Sequence, residues 1–223
     1  MGGEKLAVPV GDQATTATVY RAEQARATLI LAPGAGAPQA HRWMVSMAKT
    51  LAARSIDVVT FDFLYAHAGK RAPDRPPVLE ATWRAAIAAV RARSDLTTAR
   101  LYIGGKSMGG RIASMVAAGS EPIGRIDGLV LLGYPLHPPG KPQQLRVEHL
   151  PRVKAPMLFV QGSRDTFGTR EELGPIVAKL SRGTRMFVVE DGDHSLVRPK
   201  SSGEPIEKVM ERVADEVGLF IGR

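Results

Sequence analysis

The stretch Leu101-Tyr102-Ile103-Gly104-Gly105-Lys106-Ser107-Met108-Gly109-Gly110 decides how this chain is read. Leu101–Gly104 has the apolar character of a short buried strand, and Met108–Ala118 has the periodicity of a helix. Between them, Gly105-Lys106-Ser107-Met108-Gly109 matches G-x-S-x-G, a sharp strand-to-helix turn that presents a serine oxygen at its tip. The glycines have a steric task. Residues two before and two after the serine must be small for the helix to pack against the strand, and Gly110 extends the small run. Gly-Lys-Ser before a helix also ends a phosphate-binding loop, but Arg100 stands where that motif requires its first glycine. A strand occupies the place of the wrapping loop, so the serine turn is the better reading.

Working outward, short apolar runs alternate with helical patterns. Lys5–Val10 and Thr16–Arg21 read as two strands joined by a polar turn around Gly11 and Asp12. Thr28–Ala32 is a buried strand that stops at Pro33-Gly34-Ala35-Gly36. His41–Arg54 is a helix by the spacing of Trp43, Met44, Met47, Ala48 and Leu51. Asp57–Phe63 is a strand, followed by a Pro- and Arg-rich loop through Pro77 and a helix over Val78–Arg93. Gly128–Gly133, Pro156–Gln161 and Arg185–Val189 are further strands; Arg170–Leu180 and Pro205–Phe220 are helices. Such alternation predicts an α/β fold: one domain over residues 1–223, its mostly parallel, doubly wound sheet covered by helices on both faces.

Sites in such sheets form beyond the carboxyl ends of the strands. A serine on a G-x-S-x-G turn calls for an acid after a later strand and a histidine after the last. Asp165 follows Pro156–Gln161, and His194 follows Arg185–Val189, in the required order. Asp191 and Asp193 lie nearer His194 but sit on a short loop whose turn they suit. No acid follows Gly128–Gly133, and His41, His67, His137 and His149 lack the matching strand-end position. The expected catalytic set is Ser107, Asp165 and His194. Oxyanion donors are expected from the backbone N–H of Met108 and of Gly34 or Ala35, in the loop after Thr28–Ala32. This chemistry needs no cofactor, and no HExxH or comparable ligand spacing marks a metal site.

Composition narrows the partners. The 223 residues are 44% hydrophobic and 23% charged, as in ordinary globular proteins, and no apolar run approaches the ~20 residues of a spanning helix. Glu4 and Lys5 stand where an export signal would be apolar, so the expected location is cytoplasmic, with no membrane partner. The absence of cysteine excludes disulfides, thiolate metal sites and a cysteine nucleophile. The net charge of +8 is scattered over Arg21, Arg26, Arg71, Arg75, Arg91, Arg93 and Arg100, and aromatics are only 5%. A solvated basic surface fits this pattern better than a nucleic-acid interface. Nothing marks a self-complementary patch.

The serine turn with its acid and histidine makes the chain resemble the α/β-hydrolase superfamily over nearly its whole length. It is most similar to the compact, cap-less members grouped with dienelactone hydrolases. The Gly105–Gly110 turn and Gly69-Lys70-Arg71-Ala72-Pro73-Asp74-Arg75-Pro76 resemble a subgroup of testis-expressed hydrolase-like proteins and a chromatin acetyltransferase complex subunit. Dienelactone hydrolases use cysteine where this chain has Ser107, and many relatives carry His-Gly where it has Pro33-Gly34. The resemblance implies an α/β-hydrolase fold without a cap domain and a serine hydrolase, carboxylesterase-like or dienelactone-hydrolase-like, that forms an acyl-enzyme from a small-molecule acyl substrate. The short, proline-rich connection from Tyr134 to Ala155 predicts an open, shallow site for small or exposed acyl groups. Tyr65 and Arg71, on the loop after Asp57–Phe63, are candidate substrate contacts. A non-catalytic scaffold and an acyltransferase or thioesterase using the same triad are the alternatives this reading leaves open.

Overall fold

The computed structural model describes residues 3–96 and 99–222. Eight strands form one sheet: β1 (Glu4–Val10), β2 (Gln13–Tyr20), β3 (Ala27–Ala32), β4 (Ile56–Phe61), β5 (Leu101–Lys106), β6 (Gly128–Leu132), β7 (Met157–Gly162) and β8 (Arg185–Val189). Their order across the sheet is β1-β2-β4-β3-β5-β6-β7-β8. The β1–β2 and β2–β4 pairs are antiparallel, and every other pair is parallel.

Why the central strands read as unbroken apolar runs is plain from their packing. Successive side chains point to opposite faces, and both faces are covered. Leu29, Leu31, Val58, Val130, Leu132, Leu158 and Val160 join the core beneath α1 (Arg42–Ala52) and α6 (Ile206–Ile221). Ile30, Ala32, Val59, Phe61, Ile103, Leu129, Leu131 and Phe159 face α3 (Pro76–Arg91), α4 (Met108–Ala118) and α5 (Arg170–Val177). The α/β architecture expected from the alternation is the one observed.

Most element ends shift by one to three residues from the sequence reading, β2 starting at Gln13 rather than Thr16, and three differences have a local reason. A one-turn helix, α2 (Leu64–His67), interrupts the loop expected to run to Pro77; Leu64 and Tyr65 are buried, so the segment has a core to pack on. The next helix starts at Pro76 rather than Val78, because proline at the first helical positions forfeits only N–H groups that have no intrahelical partner. The α5 helix ends at Val177, short of Leu180. Pro175 within it removes a donor, and Lys179 and Leu180 then bond to Ile176 and Val177 in tighter i to i−3 turns.

All the parallel strands end at the same edge of the sheet, and the chain's path reverses there. It runs from β3 to β4 on one side and then returns to β5 on the other, so β3 and β5 are neighbours at a topological switch point. The loop after β3 and the turn after β5 therefore face each other across one crevice. Close packing at this point depends on Gly109: a Cβ there would lie 2.5 Å from the carbonyl oxygens of both Ala32 and Pro33. Neither oxygen belongs to a flexible side chain. The Gly109→Val variant is therefore expected to lose about 3 kcal/mol or more of stability. Urea unfolding at a midpoint close to wild type would contradict this account of the turn.

Candidate active site

Ser107 occupies the turn between β5 and α4 with φ 49° and ψ −119°, a left-handed conformation that costs a non-glycine residue energy. The turn is tied down on one side by the Ser107 N–H, which donates to the Leu132 carbonyl at the end of β6 at 2.9 Å. On the other side, a Cβ at Gly105 would lie 2.5 Å from the Ala32 oxygen, so only a bare backbone fits. The result is a serine side chain aimed out of the sheet edge into a cleft of about 640 Å³.

The structure brings Ser107, His194 and Asp165 together across 87 and 29 residues of sequence. The Ser107 hydroxyl lies 2.8 Å from His194 Nε2, and His194 Nδ1 lies 2.8 Å from Asp165 Oδ2 and 3.0 Å from Oδ1. A carboxylate only accepts, so Nδ1 carries the imidazole proton and Nε2 is left to accept from the serine O–H. Asp165 is fully buried and its two oxygens are spoken for: the Phe167 N–H donates to Oδ1 at 2.8 Å and the Gln161 amide to Oδ2 at 2.7 Å. Gln161 is itself oriented, because its Oε1 accepts from the Tyr134 N–H at 2.9 Å. It is the lone amide in the otherwise apolar strand β7, an isolation visible in the sequence that marks a buried polar role.

The histidine loop is fastened at several points. The carbonyl of His194 accepts from Lys106 Nζ at 3.1 Å, and that of Ser195 from the Trp43 indole at 3.0 Å. Lys106 also sits 5.5 Å over the Trp43 ring. Burial pushes the Lys106 amine below its usual range, while the charges of Asp165 and Asp193 act in the opposite direction. Asp193 closes the turn, its Oδ1 accepting from the Ser195 and Val197 N–H groups at 2.7 and 2.9 Å. Phe167 stacks on the imidazole at 4.1 Å between centroids. Chain order pointed to none of Lys106, Trp43 and Phe167, since their contacts cross long stretches of sequence.

Gly34, Ala35 and Met108 line the same cleft. Met108 opens α4, where backbone N–H groups have no intrahelical partner and the helix dipole is positive. The loop carrying Gly34 and Ala35 is anchored by Gln39, which is buried. Its N–H donates to Asp62 Oδ1 at 2.6 Å, and its amide donates to Asp62 Oδ2 and to the Thr16 carbonyl.

The two candidate substrate contacts fall elsewhere. Tyr65 is 2% exposed, its ring stacked on Phe63 and its hydroxyl accepting from the Gly36 N–H at 3.2 Å. It supports the loop after β3 and does not line the cleft. Arg71 is exposed and also lies outside the lining. The wall on that side is made instead by Pro73, Asp74, Pro76 and Leu79.

The chain matches the family described as "Alpha/beta hydrolase domain" over residues 25–222. It belongs to the α/β-hydrolase family. Solved structures agree in fold. A dienelactone hydrolase from Anabaena variabilis superposes with TM-score 0.75 at 18% identity, covering 98% of this chain and 95% of that one. Est1E from Butyrivibrio proteoclasticus, solved with ferulic acid bound, gives 0.76 at 14% identity, covering 98% and 100%. An α/β serine hydrolase without lid from Xanthomonas campestris gives 0.72 at 18%, covering 96% and 94%. Among the described residues no cap is inserted: between β6 and β7 the helical element is the 3₁₀ turn Leu150–Arg152. Among the described residues, no helix is long and apolar enough to cross a membrane.

The α/β hydrolase holds a second serine–histidine contact, of a different kind. Ser114 Oγ lies 2.7 Å from His149 Nε2, but Ser114 is fully buried within α4 and also donates to the Arg111 carbonyl. Burial, with the charges of Arg111 and Arg152, pushes His149 down to about 4 from 6.5. The folded protein keeps this imidazole neutral where the unfolded chain would protonate it. Its contribution is thus intact above about pH 6.5 and is lost as the pH falls towards 4. With allowance for partial exposure, wild type is expected to lose about 2–4 °C more in Tm between pH 7.5 and 5 than His149→Gln. Parallel losses in thermal melts of the two proteins would refute this.

Proposed function

We propose that this protein is a serine hydrolase that cleaves acyl esters through an acyl-enzyme. The observation that supports this most directly is the continuous hydrogen-bonded path from Ser107 through His194 to Asp165, with its serine end in a cleft. Ser107 Oγ attacks the ester carbonyl carbon and its proton passes to His194 Nε2. The carbonyl π pair moves onto oxygen, where the N–H of Met108 and that of Ala35 or Gly34 stabilise the charge. Re-forming the carbonyl breaks the bond to the leaving alkoxide, which takes the proton from His194. Water then repeats the sequence on the acyl-enzyme, releasing the acid and restoring Ser107. Asp165 keeps the imidazole in the working tautomer and balances its charge while protonated. With no cap among the described residues, the open cleft favours short or exposed acyl groups over long chains.

A fluorophosphonate probe tests the reading cheaply, because it reacts only with activated serines. Labelling of the wild type and none of Ser107→Ala is the expected outcome. A folded wild type that neither labels nor releases nitrophenol from short 4-nitrophenyl esters would overturn it.

A further inference from the structure

Fewer than half of the arginines among the described residues are paired with an acid. Arg21, Arg54, Arg84, Arg93, Arg125, Arg170, Arg185, Arg198 and Arg212 all lie within 4.0 Å of a carboxylate. Of those without a carboxylate partner, two line the Ser107 cleft, where an unpaired charge faces whatever enters. Arg111 follows Ser107 by one helical turn, its N–H donating to the Ser107 carbonyl at 3.1 Å. Its guanidinium has five donors, yet its side-chain partner among the described residues is the Met115 sulfur at 3.3 Å, a weak acceptor. Arg146 reaches the cleft from the connection after β6. Its backbone is held at both ends, the N–H donating to the Leu136 carbonyl at 2.8 Å and the carbonyl accepting from the Tyr134 hydroxyl at 2.6 Å. Its side chain has no hydrogen-bonding or ionic partner among the described residues, so a pinned backbone presents an unspent guanidinium.

The two are close enough to repel. Burial, and then the charge of Arg146, pushes Arg111 below the usual guanidinium range. Half-burying two like charges with no carboxylate in contact costs stability, and Glu80, the acid whose charge opposes the shift, is already paired with Arg84 at 3.1 Å. The acid in the cleft, Asp74, lines the opposite wall and accepts from the Tyr65 N–H at 3.0 Å. An incoming anion would supply the missing charge, and paired guanidinium forks suit a carboxylate or phosphate.

We propose that Arg111 and Arg146 form an oxyanion-group subsite, so that the ester this protein cleaves carries a carboxylate or phosphate held by them while Ser107 attacks. This rests on the hydrolase reading above and names its substrate class.

Two matched pairs of esters test it, one for each anion. Mono-4-nitrophenyl glutarate is compared with its methyl-capped neutral form, and 4-acetoxyphenyl phosphate with 4-acetoxyphenyl methyl ether. In wild type, kcat/KM for the anionic member of at least one pair should exceed the neutral one by about 10–100-fold. Which pair responds tells carboxylate from phosphate recognition. Arg146→Gln and Arg111→Gln should each cut that ratio by about tenfold or more, with raised salt eroding it in wild type. Fluorophosphonate labelling and thermal melting of the same samples show whether each variant keeps a folded, activated serine; Arg146→Gln, outside regular structure, serves if Arg111→Gln misfolds. Wild type that labels but favours the neutral member of both pairs overturns the subsite alone, as does a ratio that survives in the folded variants. Wild type that neither labels nor cleaves any ester overturns the hydrolase reading and the subsite with it.

Discussion

Ser107→Ala is expected to lower kcat on a short-chain 4-nitrophenyl ester by about 10⁴–10⁶-fold while leaving the melting temperature close to wild type. On the proposed mechanism the size follows from the loss of the covalent route itself: without Oγ no acyl-enzyme can form, and His194 has no proton to take. The thermal expectation follows from position. Ser107 accepts a backbone strain at φ 49° that alanine shares, and its hydroxyl's side-chain partner among the described residues is His194. Activity within tenfold of wild type, in protein free of contaminating esterase, would show that Ser107 is not the nucleophile.

Asp165→Asn should cost about 10⁴ in kcat, although the side chains are nearly isosteric. Both carboxylate oxygens of Asp165 already accept from donors that cannot reverse, the Phe167 backbone N–H and the Gln161 amide. Gln161 cannot flip to compensate without placing its NH₂ against the Tyr134 N–H. The new NH₂ must therefore oppose one of these donors, or the histidine. Whichever it faces, the bond that holds His194 Nδ1–H is weakened, and the tautomer with Nε2 free to accept is no longer favoured. Steady-state kinetics should show the loss in kcat with little change in KM, and NMR of the imidazole should report the altered tautomer. Near-normal kcat with an unchanged tautomer would remove Asp165 from the mechanism.

Ser107 with Gly105 and Gly109 was legible in the sequence because the turn's constraints are local: a few consecutive residues meet the steric demands of one strand-to-helix crossing. Asp165 and His194 could be named by chain order, since parallel strands bring every carboxyl end to one edge and leave few polar residues there. The strands were readable for a similar reason, because burial on both faces demands continuous apolar runs such as Leu29-Ile30-Leu31. Proline and α2 shifted boundaries, where local propensity and available core disagree with simple periodicity.

What only the tertiary structure decided is how the remaining polar groups are spent. Tyr65 stands on the expected loop, yet folding turns its hydroxyl onto Gly36 and buries its ring away from the cleft lining. Gln161 and Phe167 became partners of Asp165 and His194 through contacts set by turns and loop packing, which no periodicity encodes. Lys106 was within the quoted motif from the start, but its bond to the His194 carbonyl spans 88 residues. Arg111 and Arg146 are two arginines among many in the sequence. Only the fold, with α4 and the connection after β6, places them beside one cleft with no carboxylate in contact with either, which is the ground of the subsite proposal. Local sterics and burial wrote the sheet, the serine turn and the order of its partners into the sequence; the fate of each buried or cleft-lining polar atom depended on neighbours that only the folded chain supplies.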